Sequence, residues 1–256
     1  MRPEADSLDR LYHEEVRKCT RCQEHQEIQR QSREESTIKK FMLHWLPYRR
    51  GGPPFAFVLL GMEPSFSGVR EGVEYPREGG FHGGLRFAIS KYLLQDPQRE
   101  SFLITNMGKC TIAGNLCRQT RCFRWKKCGP FLEREVRLAE PSLGSTVFIG
   151  IGRDPIRFIR GHHSLYGGFF QGRPIYYLTH YSPRNQWIFQ RFARENVHGF
   201  QEFSAQTSTE FGQFLTEESA DEDLESFQSN PERDLSRLFK WSHEMSEIRK
   251  LRVADR

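Results

Sequence analysis

The sequence predicts a three-layer α/β/α fold with a central, mainly parallel, four-stranded sheet and a C-terminal helical appendage. Four short apolar runs, Phe55 to Leu60, Phe102 to Thr105, Ser145 to Gly150 and Ile175 to Thr179, have the length and the β-branched or aromatic content of buried strands. Each run stops at glycine or polar residues, and helical spacing separates it from the next, which is the order that builds parallel sheets. At 256 residues and 37% hydrophobic content, the chain has enough apolar material for one α/β core of ordinary size plus appendages.

Taken in order, Leu8, Leu11, Tyr12 and Val16 recur at helical spacing and lead into Cys19. Residues 23 to 40 are polar and charged without a clean period, which reads as an exposed helix or loop. After an aromatic, apolar stretch from Phe41 to Tyr48, the run Arg49-Arg50-Gly51-Gly52-Pro53-Pro54 predicts a turn into the first strand. That strand ends in Gly61-Met62-Glu63-Pro64-Ser65. A glycine followed by a carboxylate and a proline at a strand end is either a ligand-holding edge of an open α/β sheet or a structural turn with a solvated Glu63. A glycine-rich loop, Phe66 to Gly84, then carries Tyr75, Phe81 and His82, and Leu85 to Leu94 reads as a helix with Phe87 in its core face.

The second strand ends in Asn106. A basic loop from Arg118 to Lys127 follows, with Arg121, Arg124 and Lys126 interleaved with Phe123 and Trp125, a pattern suited to tracking nucleic-acid phosphates. Phe131 to Leu138 is helical, and the third strand runs into Gly152-Arg153-Asp154-Pro155 and a short helix with Phe158 and Ile159 in the core. His162 and His163 read as solvated loop residues. The fourth strand delivers His180, and Trp187 to Phe192 is the closing helix of a body spanning residues 1–200. Residues 201–230, rich in Ser, Thr, Gln and Glu, read as an acidic linker. Residues 231–256 return to helical spacing, with Leu238, Trp241, Met245 and Ile248 on one face; docking on the body is its simplest role.

Charge and cysteine content narrow the functional classes. Of 38 Lys/Arg and 33 Asp/Glu, 7 and 13 fall after residue 200, leaving the body with 31 and 20, an excess that suits a phosphate backbone as well as a plain soluble surface. Neither a signal peptide nor a long apolar span is present, so the expectation is a soluble, cytoplasmic monomer with no membrane partner. Six cysteines in such a chain point to metal or cluster ligation more than to a disulfide framework.

The acid of Gly61-Met62-Glu63-Pro64, the amide of Ile104-Thr105-Asn106 and the imidazole of His180-Tyr181-Ser182-Pro183-Arg184-Asn185, in that order, resemble the uracil-DNA glycosylase superfamily over residues 19 to 196. Cys19-Thr20-Arg21-Cys22 and Ile104-Thr105-Asn106-Met107-Gly108-Lys109-Cys110 are most similar to its iron–sulfur classes, and His180 to Asn185 to its single-strand-selective class. The resemblance implies an enzyme that flips a pyrimidine out of DNA and hydrolyses its N-glycosidic bond to leave an abasic site. Glu63 would orient or deprotonate water and stabilise the cationic sugar, and His180 would donate to the departing base. Phe81 would stack on the base, Asn106 would read its edge, and Met62 and Ser65 would line the pocket. Ser182 would hold a phosphate, while Arg184 with Asn185 would enter the vacated space.

The same resemblance implies that Cys19, Cys22, Cys110 and Cys128 hold a [4Fe–4S] cluster, with Cys128-Gly129-Pro130-Phe131-Leu132 matching the Cys-x-Pro-x-Leu helix start. A four-cysteine zinc site is the chemical alternative, and Cys117 and Cys122 are additional. Two departures bear on substrate and class. Glu63 takes the third place of its turn, whereas the iron–sulfur classes often carry the acid at the second, here Met62. Ser65 stands where the strict uracil enzymes carry a tyrosine, leaving room beside the 5-position of a pyrimidine. Uracil and 5-modified pyrimidines are therefore both candidate substrates, the second implying a defence enzyme that removes bulky modified bases from phage DNA. A non-catalytic DNA- or uracil-binding module on the same scaffold is the reading from another class.

Overall fold

The structure is a computed structural model and describes residues 8–16, 18–22, 42–44, 48–62, 80–112, 118–140, 146–181, 185–217, 225 and 227–254. It has seven described strands, β1 (Met42–His44), β2 (Tyr48–Arg50), β3 (Phe57–Gly61), β4 (Phe102–Asn106), β5 (Cys110–Ile112), β6 (Val147–Ile151) and β7 (Ile175–Leu178). Its longer helices are α1 (Gly80–Ala88), α2 (Arg118–Ala139), α3 (Arg153–Gly161), α4 (Gln186–Glu195), α5 (Val197–Glu217) and α6 (Pro231–Ala254). The chain divides into two compact units, Met1–Tyr75 with Ser101–Tyr177, and Pro76–Glu100 with Leu178–Arg256.

The first unit is α/β. Its five-stranded sheet has the order β2-β4-β3-β6-β7, with β3 parallel to both β4 and β6. Every residue of β3 and β4 is buried, which is why their sequences run apolar without alternating. Helices cover them through a core that includes Phe55, Leu60, Leu103, Leu132, Phe148 and Ile159. Trp125 meets Phe158 edge-on at 5.1 Å, and Phe148 meets Phe170 likewise at 5.2 Å. Each such side chain contributes roughly 1.5–3 kcal/mol through burial.

The fifth strand is a correction to the four expected. The segment expected to turn at Arg49-Arg50 pairs antiparallel with β4, Tyr48 opposite Ile104 and Arg50 opposite Phe102. Arg49 Nη2 donates to Asp9 Oδ2 at 2.7 Å, so this arginine is engaged within the protein. Two arginines hid the strand because an edge strand has one side free to carry charge. A separate two-stranded ribbon pairs β1 with β5, placing His44 opposite Cys110.

The second unit is helical. Phe87 packs against Phe211 at 5.1 Å and Phe214 at 5.4 Å, consistent with the core role expected for it. Leu235, Leu238, Trp241, Met245 and Ile248 of α6 are all buried, and Trp241 meets Phe189 edge-on at 5.9 Å. Helix α6 is thus the spine of this unit and not an appendage. The expected acidic linker is corrected over residues 201–217, which belong to α5, while residues 218–224 and 226 lie outside the described residues. Thr207, Phe211 and Leu215 recur every fourth residue and are buried, while polar residues between them face outward and dominate the composition. Arg252 Nη1 donates to Glu100 Oε1 at 2.6 Å, closing the end of α6 onto the chain after α1. Among the described residues, no helix is long and apolar enough to cross a membrane.

Candidate functional site

In the first unit the carboxyl ends of β3 and β4 stop in register, with Gly61 opposite Asn106. Beyond them the chains stay joined, Met107 N–H donating to Gly61 O and Gly108 N–H to Met62 O, each at 2.9 Å. Asn106 is 7% exposed, and a Cβ built on Gly61 would lie 2.2 Å from Asn106 Oδ1. Glycine is needed here for close approach, and the amide it admits is held at the sheet edge where ligands of open α/β sheets bind. Met62 packs partly buried against the core. Glu63 and Ser65 follow it and lie outside the described residues.

Behind Asn106 is a polar network that sequence reading did not anticipate. Lys109 Nζ donates to Thr105 Oγ1 at 2.7 Å and to Glu135 Oε2 in a shorter contact, and Thr105 Oγ1 donates to the same carboxylate oxygen at 3.0 Å. Thr105 and Glu135 are fully buried and Lys109 is 2% exposed. Burial pushes the ammonium down to about 7 and the carboxyl well above its usual range, because each charge loses its water. A signal did exist: Glu135 lies on the same helical face as Phe131, Leu132, Val136 and Ala139, where a carboxylate is out of place unless paired.

Cys19, Cys22, Cys110 and Cys128 come from the end of the first helical stretch, from β5 and from α2. Burial pushes the Cys22 thiol up to about 12, with further upward contributions from Cys110, Cys128 and Cys19 and an opposing one from Arg124. Cys128 is likewise pushed up to about 12, first by burial and then by Cys110, against Lys109 and Arg124. Cys22, Cys110 and Cys128 are buried and Cys19 partly so, and these thiols from segments distant in sequence lie near enough to influence one another. Among the described residues, no three His, Cys, Asp or Glu side chains stand in ready coordination geometry.

Burial keeps the metal-free Cys22 and Cys128 thiols protonated, and the nearby donors are what would steady sulfur ligands once a metal displaced those protons. Lys109 N–H donates to Cys128 Sγ at 3.4 Å, and Arg124 Nη2 donates to Cys110 Sγ at 3.5 Å and, more closely, to its carbonyl oxygen. Tyr166 is fully buried beside Cys128, and among the described residues its hydroxyl has no hydrogen-bond partner, a donor that a sulfur-rich group would satisfy. Donor chemistry and outer partners thus fit an all-thiolate metal or iron–sulfur group. Cys122 stands apart, lining a cavity of about 330 Å³ with Arg121, Trp125, Asp154, Arg157, Phe158 and His162. Cys117 lies outside the described residues.

The expected basic loop is helical, and this changes what its residues can do. Arg118–Ala139 is one continuous helix that accommodates Pro130. Arg124 and Trp125 are buried, so neither contacts a nucleic-acid strand. Arg124 precedes Cys128 by one helical turn and turns inward with it, a spacing that was legible in the sequence. Lys126 is exposed and Arg121 half-buried, so both remain available at the surface. His162, expected to be solvated, stacks on Phe158 at 4.3 Å and contacts its carbonyl through Nδ1.

In the second unit, His180 lies two residues beyond β7 and stacks on Tyr181, with ring centroids 4.3 Å apart. The chain before it is clamped by α6: Trp241 Nε1 donates to Thr179 O at 3.0 Å, and Glu244 accepts from Thr179 N–H at 2.9 Å and from its hydroxyl at 2.6 Å. Asn185 Nδ2 donates to His180 O at 2.9 Å, so its amide shapes this loop and is not a free wedge. Ser182 and Arg184 lie outside the described residues, as does the side chain of Phe81, the second residue of α1. Asn106, Met62 and the four cysteines therefore belong to the first unit, and Phe81 and His180 to the second. In comparisons with known proteins, the chain matches no family model, no curated protein and no solved structure.

Proposed function

We propose that the protein is a monofunctional DNA glycosylase of the uracil-DNA glycosylase type, with a three-layer α/β/α body, that excises uracil or a 5-modified pyrimidine. The observation that carries this reading is the buried carboxamide of Asn106, seated on Gly61 at the carboxyl edge of a parallel sheet and four residues ahead of a cysteine in the four-thiol neighbourhood. A carboxamide offers both a donor and an acceptor and so matches the edge of a flipped pyrimidine. Breaking the N-glycosidic bond builds positive charge on the sugar and negative charge on the base. Glu63 holds and deprotonates the attacking water and faces the cationic sugar, and His180 donates to the base oxygen that gains charge. Phe81 stacks on the base, and Ser182, Arg184, Arg121 and Lys126 serve the DNA strand.

Cys19, Cys22, Cys110 and Cys128 would hold a [4Fe–4S] cluster, or zinc in the alternative. Either group, when bound, supplies cross-linking of the N-terminal segment to β5 and α2. The chain's own residues carry out binding and proton transfer.

The test is a panel of short single-stranded and duplex oligonucleotides carrying uracil, 5-hydroxymethyluracil, 5-hydroxymethylcytosine or its glucosylated form, followed by alkaline cleavage at abasic sites. Cleavage at one or more bases, abolished by Glu63→Gln, supports the enzyme. Tight binding with no abasic product from any base favours the non-catalytic module.

A further inference from the structure

We propose that Lys109 is a positioning residue that ties the four-thiol site to the strand edge carrying Asn106, so that occupancy of the thiols sets how firmly that edge is held. The inference rests on the metal site proposed above and deepens it. Lys109 has two attachments that point in opposite directions along the chain. Its main-chain N–H donates to Cys128 Sγ at 3.4 Å, and the next residue is Cys110. Its side chain turns back, giving Nζ to Thr105 Oγ1 at 2.7 Å and to Glu135 on α2. Thr105 immediately precedes Asn106, and the N–H groups of Met107 and Gly108 are the ones that hold β3 through Gly61 O and Met62 O. Residues 105 to 110 thus form a loop fastened to β3 at one end and to two of the thiols at the other, and the hydrogen bonds of the buried Lys109 side chain close it into a ring.

Such a ring transmits position because its contacts are buried. In a low-dielectric interior hydrogen bonds between buried polar groups hold position more firmly than on a surface, and releasing either partner leaves an unsatisfied buried group. Drawing Cys110 and Cys128 to a shared metal fixes both the residue after Lys109 and the sulfur that its N–H faces. Releasing the metal frees both thiols and loosens the loop at that end. The predicted readout is local opening at Met107 and Gly108, the amides that join the loop to β3.

The experiment follows amide hydrogen exchange in the full-length protein, as isolated with its metal and after removal of the metal by a chelator, for the wild type, Lys109→Met and Lys109→Arg. In the wild type, stripping should speed exchange of the Met107 and Gly108 amides tenfold or more while those of Val58 and Leu59 in β3 stay unchanged. Loaded Lys109→Met should already exchange at the stripped rate at these two positions, and Lys109→Arg, which keeps the cation, should recover much of the protection. Wild-type amides indifferent to stripping, or full protection in loaded Lys109→Met, would overturn the proposal. Should Lys109→Met fail to fold, Glu135→Gln provides the same reading, with unchanged protection at Met107 and Gly108 counting against the link. Because no readout depends on excision, a protein that shows the coupling but removes no base upholds the link and rejects the glycosylase. A protein that takes up neither zinc nor iron and sulfide overturns the link itself.

Discussion

Asn106 Oδ1 occupies the space that any side chain on Gly61 would need, a Cβ there falling 2.2 Å from it. Gly61→Ala therefore has to displace the carboxamide or separate two buried strands. We expect a loss of about 1–3 kcal/mol in chemical denaturation, the usual scale for overpacking. Asn106→Ala relieves the crowding, so the double variant should be more stable than Gly61→Ala alone. On the proposed reading, both single variants lose discrimination between bases while keeping affinity for the DNA strand, measured as the ratio of binding to uracil-bearing and unmodified oligonucleotides.

Trp241 and Glu244 of α6 hold the residue that precedes His180, through the carbonyl, N–H and hydroxyl of Thr179. Ending the chain at Phe200 would remove α6 and with it this hold on Thr179. The truncated protein should fail to accumulate in soluble form. Trp241→Phe is the milder probe, losing one buried hydrogen bond and part of a packed ring, for roughly 1–3 kcal/mol in urea titration.

Cys19→Ala, Cys22→Ala, Cys110→Ala and Cys128→Ala should each abolish metal retention, whereas Cys122→Ala should not. Elemental analysis and the visible spectrum decide between iron–sulfur and zinc. Without metal, the folded Cys22 and Cys128 thiols sit at about 12 against 9.0 for an ordinary thiol, so both are protonated at neutral pH. Zinc uptake must then displace those protons and should strengthen as pH rises. Calorimetry in buffers of different ionisation enthalpy should register at least these two protons. Because the folded values lie above the ordinary one, the metal-free protein should also lose stability as pH rises from about 9 toward 12, a loss visible in thermal melts.

Glu63→Gln preserves shape and hydrogen bonding but removes charge and basicity. Single-turnover excision should fall by a factor on the order of a hundred or more, while DNA binding is kept or tightened. Undiminished excision would move the acid into the glycine-rich stretch that follows Glu63 in sequence, where Glu71, Glu74 and Glu78 are the carboxylates to test. His180→Ala should slow the same step, and Phe81→Ala should weaken all stacked bases alike by about 1–3 kcal/mol.

The central strands were legible in the sequence because a strand covered on both faces must be apolar throughout, as Phe57 to Leu60 and Phe102 to Ile104 are. Where those strands stop was legible too, since Gly61 and Asn106 break the apolar runs. Spacing alone does not pick four of the six cysteines; the set Cys19, Cys22, Cys110 and Cys128 is what the family resemblance implies, and in the fold these thiols lie near enough to influence one another. Tertiary structure alone decided the rest, for reasons of burial. Arg121, Arg124 and Lys126 look alike in a basic stretch, and only the rotation of α2 turns Arg124 toward Cys110 and leaves Lys126 in solvent. The polar residues of 201–217 and 231–252 describe the outer faces of α5 and α6, while Phe211, Trp241 and Met245 stabilise the inner ones. Glu135 belongs to no motif, and the stretch from Ile104 to Cys110 gives no sign in the sequence that Thr105 and Lys109 meet it. A charge pairs in the interior only when elements distant in sequence deliver both partners, and for Lys109 and Glu135 those elements are the loop after β4 and α2.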